Sequence, residues 1–166
     1  MRNPWTGPIT IALVVLALDR WTKYLVIHHL PQGATLIVAP FLNLVQVRNA
    51  GGAFGVGNHG GYRSSFFFIV VSIIAIVVII SLLRKLPPRA TLVRWSLGAV
   101  LGGGIGNLID RLVYGRVIDF LDFHIAQYHW PAFNVADSFI TVGLGLAIWG
   151  YYIKGKNDSR GTRAEE

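Results

Sequence analysis

Residues 64–83 read "SSFFFIVVSIIAIVVIISLL" and carry no charge. A run this long and this apolar leaves the chain few options. A helix needs roughly 20 mostly apolar residues to cross a bilayer, and a helix apolar on every face must be buried in protein or in lipid. Three further runs follow the same logic. Ile9–Leu30 is interrupted by Asp19, Arg20 and Lys23, Thr91–Val113 has charges only near its ends, and Ala136–Ile153 has Asp137 at its start. Only 14% of the 166 residues are charged, against about 25% in a soluble domain. The expectation is a single integral membrane domain of four transmembrane helices. No A-x-A-like site follows Ile9–Leu18, and charged residues come next, so this stretch reads as a retained span rather than a cleaved leader.

The chain has no cysteine, which excludes disulfides, thiolate catalysis and thiolate metal sites. Its formal charge of +7 is distributed against a nucleic-acid partner. Arg84, Lys85, Arg89 and Arg94 crowd the link between the second and third runs, Lys154, Lys156, Arg160 and Arg163 follow the fourth, and Arg2 precedes the first. With four spans these segments share one side, and the positive-inside rule makes that side cytoplasmic. Both termini are then cytoplasmic, and residues 31–63 and 114–135 lie outside. Trp149, Tyr151 and Tyr152 suit an interfacial aromatic belt, and residues 154–166 read as a polar, disordered tail. In the first outer segment "ATLIVAPFLNLVQVRN" is rich in β-formers and broken by Pro40, as expected of a small hairpin on the outer leaflet. The Gly-rich "GGAFGVGNHGG" follows it.

Polar residues inside or beside the spans gather at one end. Asp19 and Lys23 share a helical face. Asn107, Asp110 and Arg111 close the third span, Asn134 and Asp137 open the fourth, and Asn49 and Asp119 belong to the outer segments. A charge at mid-bilayer costs about 2.5–3.5 kcal/mol, so these groups need a reason. Structural reasons exist for several. Asp19 with Lys23 reads as a structural ion pair, Asp110 with Arg111 as a helix-end pair, Asp137 as an N-cap, Asp122 as solvated at the interface, and Gly98, Gly102 and Gly106 as a ladder for close helix packing. The five histidines, His28, His29, His59, His124 and His129, match no standard zinc spacing. Two carboxylates remain. Asp119 and Asp137 both follow the third span on the outer side, each flanked by apolar residues. Two such groups sharing a proton can activate water, one as base and one as acid.

Five motifs occur in order: "DRWTK" with Asp19 and Lys23, "NAGGAF" with Asn49 and Gly51, "GNLIDR" with Asn107, Asp110 and Arg111, "GRVIDF" with Asp119, and "FNVAD" with Asn134, Ala136 and Asp137. Together, on a four-span frame of this length, they resemble lipoprotein signal peptidase (signal peptidase II), a membrane aspartyl protease of the bacterial inner membrane. The resemblance implies four transmembrane helices, an extracytoplasmic β-cradle and a short mobile helix in the first outer segment. It implies Asp119 and Asp137 as catalytic dyad, with Asp19, Lys23, Asn49, Gly51, Asn107, Asp110, Arg111, Asn134 and Ala136 binding substrate or supporting the site. The implied substrates are prolipoproteins carrying a diacylglyceryl cysteine, cut just before that cysteine by a monomer in contact with membrane lipid. Neither metal nor cofactor is implied. Gly52, where alanine is more usual in the family, is a small departure. The rival expectation is a small ion or proton transporter using Asp19, Lys23 and Asp110 as a relay, although no internal repeat supports it.

Overall fold

The computed structural model describes residues 3–50 and 61–163, with side chains for 3–50 and 65–153. Gly51, Gly52 and the short helix expected after them lie outside the described residues. Four long helices occupy the four apolar runs: α1 (Thr6–His29), α2 (Gly61–Lys85), α3 (Thr91–Tyr114) and α4 (Val135–Arg163). Three contain stretches long and apolar enough to cross a membrane, Ser65–Lys85, Thr91–Tyr114 and Val135–Ile153. Helix α1 has the length, but Asp19, Arg20 and Lys23 set it apart. The residues expected as a disordered tail continue α4 as helix to Arg163, because extending an existing helix avoids the cost of nucleation.

Helix α3 is central. It packs against each of the other three, and α1 also touches α4. The glycine ladder makes the α1–α3 approach possible: a Cβ on Gly98 would lie 2.5 Å from the Pro8 carbonyl oxygen, and one on Gly102 would clash with that of Ala12. Ile79, Leu83, Leu97, Val100 and Ala147 form a buried cluster joining α2, α3 and α4. Phe66, Phe67, Ile73, Ile74, Val77 and Val78 leave α2 apolar on its outer surface, as a lipid-facing helix requires.

Arg94 has a different role from the free link cation expected. It is buried, lies over the Trp5 ring, and donates to the carbonyls of Leu83, Leu86 and Pro4. Its guanidinium thereby satisfies orphan carbonyls at the end of α2 and ties the start of α1 to α3.

The segments between α1 and α2 and between α3 and α4 form one antiparallel sheet in the order β1 (Thr35–Ala39), β2 (Leu42–Asn49), β3 (Val117–Ile125), β4 (Tyr128–His129). The hairpin broken at Pro40 is present as β1–β2. The β2–β3 register runs Asn43↔Asp122 and Leu44↔Leu121, then resumes at Val47↔Asp119. Three steps on β2 thus match two on β3, so β2 carries one extra residue. In a regular strand Asn43 and Asn49, six apart, would share a face. The bulge inverts that parity: Asn43 meets Asp122 on one face, and Asn49 shares the other with Asp119.

Candidate active site

Asp119 and Asp122 are three residues apart on β3 and therefore on opposite faces. Asp122 is buried rather than solvated. The Asn43 amide donates to it at 3.0 Å, and His129 Nδ1 lies 2.9 Å from it. Burial works against its charge, but the hydrogen bonds from Asn43 and His129 outweigh that and hold its carboxyl below the usual range. The need for a partner is general, since a buried charge is tolerated only when paired.

Asp119 faces the helices. Asn49 Nδ2 donates to its Oδ2 at 3.1 Å and Asn134 Nδ2 to its Oδ1 at 2.7 Å. Burial, then the charge of Asp137, pushes its carboxyl up to about 7 against the pull of those two amides. The start of β3 is anchored to α3, where Gly115 at φ 68° takes the left-handed turn that ends the helix. Directly after it, Ile118 N–H donates to Asp110 Oδ2.

Asp137 comes from α4. The segment before that helix is pinned to β3, with Phe120 and Leu121 N–H donating to the Phe133 carbonyl and Phe133 N–H to that of Leu121. Asn134, not Asp137, is the N-cap. Asn134 Oδ1 accepts from Asp137 N–H at 2.9 Å, and Asp137 Oδ2 accepts from Asn134 N–H at 3.3 Å. This reciprocal pair is a capping box. The other oxygen of Asp137, Oδ1, accepts from Asn107 Nδ2 at 2.7 Å. Asn134 thus touches both carboxylates and holds them beside one another.

Below the pair lies a cluster of four charges. Lys23 Nζ is 3.0 Å from Asp19 and 2.7 Å from Asp110, and Arg20 Nη2 is 2.9 Å from Asp19 and 2.7 Å from Asp110. The expected Asp19–Lys23 pair is therefore one edge of a neutral square. The expected Asp110–Arg111 pair is replaced: Asp110 binds Arg20 and Lys23, whereas Arg111 donates to Ser72 and to the Asn107 carbonyl and lies over the Phe68 ring. Asp19 and Asp110 are fully buried and Lys23 is 1% exposed. Asp19 also accepts from Ala136 N–H at 3.1 Å, satisfying another donor at the start of α4. Gly106 is required beside it, since a Cβ there would lie 2.5 Å from Asp19 Oδ2.

The structure brings together all the described candidates: Asp119, Asp137, Asn49, Asn107, Asn134, Asp19, Lys23, Asp110 and Ala136, with Arg111 near enough to feel both carboxylates of the pair. Arg20 escaped sequence reasoning because its second partner, Asp110, is 90 residues away. Asn43 escaped because the bulge cannot be seen in the sequence, and His129, weighed there only as a metal ligand, reaches Asp122 from the paired strand β4. Among the described histidines, His124 stacks on His129 across the β3–β4 pair with ring centroids 5.0 Å apart. His28 and His29 meet carbonyls of their own helix, and His124 meets that of Ala126. Among the described residues no three His, Asp or Glu groups are arranged to hold a metal. An open cavity of about 560 Å³ at the far end of β3, lined by Phe41, Phe123, Tyr128 and Trp130 among others, contains neither carboxylate of the pair.

Comparison with known proteins follows the same outline. Residues 11–153 match the family signal peptidase (SPase) II. The lipoprotein signal peptidase of Burkholderia mallei (strain SAVP1) is 45% identical over 147 residues, covering 88% of this chain and 86% of the relative. That of Syntrophotalea carbinolica is 47% identical over 141 residues, covering 84% and 87%. A solved bacterial membrane enzyme is 32% identical, with a TM-score of 0.79 and 90% of each chain covered.

Proposed function

The chain belongs to the signal peptidase II family, and from that premise we propose that it is an aspartic endopeptidase that removes the signal peptide from prolipoproteins, with Asp119 and Asp137 as its catalytic pair. The observation that carries this reading is the convergence on Asn134: one residue donates to Asp119 and exchanges hydrogen bonds with Asp137. Two carboxylates held this way can divide the work of peptide hydrolysis. One takes a proton from water as it attacks the scissile carbonyl. The other protonates the carbonyl oxygen; as the tetrahedral intermediate collapses, the first passes the proton it took from water to the leaving amine and the second recovers its own from the gem-diol hydroxyl. Asn49, Asn107 and Asn134 orient the pair, and Arg111 contributes a cation beside it.

Helix α1 is a fourth span, its charges neutralised within the square formed with Asp110. The cation-rich link and C-terminal segment lie in the cytoplasm of a bacterium, and the sheet lies on the outer leaflet, where exposed Phe41, Ile125, Tyr128 and Trp130 suit the membrane interface. The substrate's signal helix enters from the lipid, its diacylglyceryl chains remain there, and the cut falls just before the modified cysteine. Gly51 belongs to the substrate-binding set, and one chain suffices. The transporter alternative has no support, because Asp19 and Asp110 are closed into ion pairs with Arg20 and Lys23 rather than strung across the membrane.

The test is cleavage by the purified protein of one precursor prepared with and without its diacylglyceryl group. Release of the signal peptide at a much higher rate from the lipidated form is expected. No release from either would remove the peptidase reading, and equal rates would remove lipid anchoring.

A further inference from the structure

We propose that Arg84, Lys85 and Arg89 form a preorganised seat for the headgroups of anionic phospholipids, at the end of the bundle opposite the carboxylate pair. This seat is independent of the peptidase reading.

Arg84 and Lys85 end α2, and Arg89 lies in the link from α2 to α3, residues 86–90. Thr91 opens α3 and Asp110 lies near its other end, about 28 Å away at the rise of an α-helix. All three cations are exposed, and none has an ion-pair partner among the described residues. The carboxylates with described side chains, Asp19, Asp110, Asp119, Asp122 and Asp137, all belong to the candidate active site or to the sheet. Three like charges in such a short stretch, with no described acid beside them, favour an anionic partner.

The frame beneath the cations is stiff. Pro87 and Pro88 fix two φ angles of the link. Ala90 N–H donates to the Pro87 carbonyl at 3.0 Å, and Arg94 Nη1 donates to the carbonyls of Leu83 and Leu86. Arg94 is buried and its guanidinium is occupied by those carbonyls, so it anchors the seat without lining it. The backbone that carries Arg84, Lys85 and Arg89 is thus ordered before any ligand arrives, which lowers the entropic cost of binding.

The surroundings favour lipid over free phosphate. Trp95, in the first turns of α3, is exposed, and so are Trp149, Tyr151 and Tyr152 of α4. Gly150 seats that part of α4 on the start of α3, since a Cβ there would lie 3.0 Å from Val93 and 3.2 Å from Leu92. Amphipathic rings of this kind sit at the headgroup level of a bilayer. Leu82, just before Arg84, is exposed as well and offers an apolar surface to acyl chains. Lys154 and Lys156 follow Tyr152 on the same helix, and a basic segment beside a span attracts anionic lipid. In the orientation proposed above, these lipids belong to the inner leaflet.

The experiment measures lipid retained by the full-length protein in native mass spectrometry, after equilibration in detergent micelles holding phosphatidylglycerol and phosphatidylcholine with matched acyl chains. Wild type should retain phosphatidylglycerol in preference, and less of it as salt rises. Arg89→Gln should lower that preference about fivefold, and adding Arg84→Gln and Lys85→Gln should lower it further. Arg84→Lys with Arg89→Lys keeps the charge and should keep the preference. Arg48→Gln removes an equal charge from an exposed position of the sheet and should leave the preference unchanged. Tm in phosphatidylcholine alone should match wild type in every variant, and Arg89→Gln carries the test if the triple variant does not fold. Equal retention of the two lipids by wild type, or an unchanged preference in folded Arg89→Gln, would overturn the proposal. So would an equal loss in Arg48→Gln, which would reduce the effect to net charge, or complete displacement of the lipid by inorganic phosphate, which would make the seat one for free anions.

Discussion

Asp119→Asn should stabilise the protein at alkaline pH and lose that advantage in acid. Asp119 is 2% exposed, and its carboxyl is raised from 3.8 to about 7 by burial and by the charge of Asp137. A group with a raised folded-state pKa contributes its stability in full below the unfolded value and loses it as pH rises through the folded one. Here the window runs from about 4 to about 7, and a shift of this size corresponds to about 4 kcal/mol. Asparagine is neutral throughout and keeps an oxygen for the Asn134 amide, so it escapes the penalty. For a chain of this length, that difference corresponds to a rise in Tm of about 10 °C at about pH 8. The assay is thermal unfolding of both proteins in one detergent across this range. The gap should open as pH rises through about 7 and close towards about pH 4. A gap of constant size, or a less stable variant at alkaline pH, would refute the reasoning.

Asp19→Ala removes a fully buried partner of Lys23, Arg20 and the Ala136 N–H, and should cost about 3–5 kcal/mol, read as low yield and low Tm. Gly106→Ala would press a methyl group on Asp19 Oδ2 and should lower Tm in the same direction, and a normal Tm in both would show the square to be dispensable for folding. For topology, a single cysteine at Gln127 should react with an impermeant thiol reagent from outside, and one at Lys156 only after permeabilisation. The reverse labelling would invert the proposed orientation.

Much of this architecture was legible in the sequence because apolar length and charge placement are strong, local signals. The four helices follow the four apolar runs, and Pro40 marks the break between β1 and β2. The convergence of Asp119, Asp137 and the three asparagines was legible from topology, since each lies at one end of a span or in a segment joined to that end. What could not be read depends on contacts between distant residues. The bulge in β2 reverses the facing of Asn49 relative to Asn43 without changing its composition pattern. Arg20 finds Asp110 only once α1 and α3 pack, which displaces Arg111 from the pair that adjacency suggested. Arg94 resembles every other link cation until the ends of α1 and α2 place three carbonyls around it. Asp137 looked like an N-cap because it sits at a helix start, but Asn134 takes that position and leaves Asp137 one oxygen for Asn107.

The central claim is that Asp119 and Asp137 act as one catalytic unit. The most direct test is turnover of a lipidated prolipoprotein by Asp119→Asn, Asp137→Asn and the double variant, with Tm measured in the same detergent and Asp122→Asn as a control on the opposite sheet face. Each single variant should be folded and inactive, the double variant should be no worse than either single one, and Asp122→Asn should retain cleavage. Substantial cleavage by a folded Asp119→Asn or Asp137→Asn protein would contradict the account.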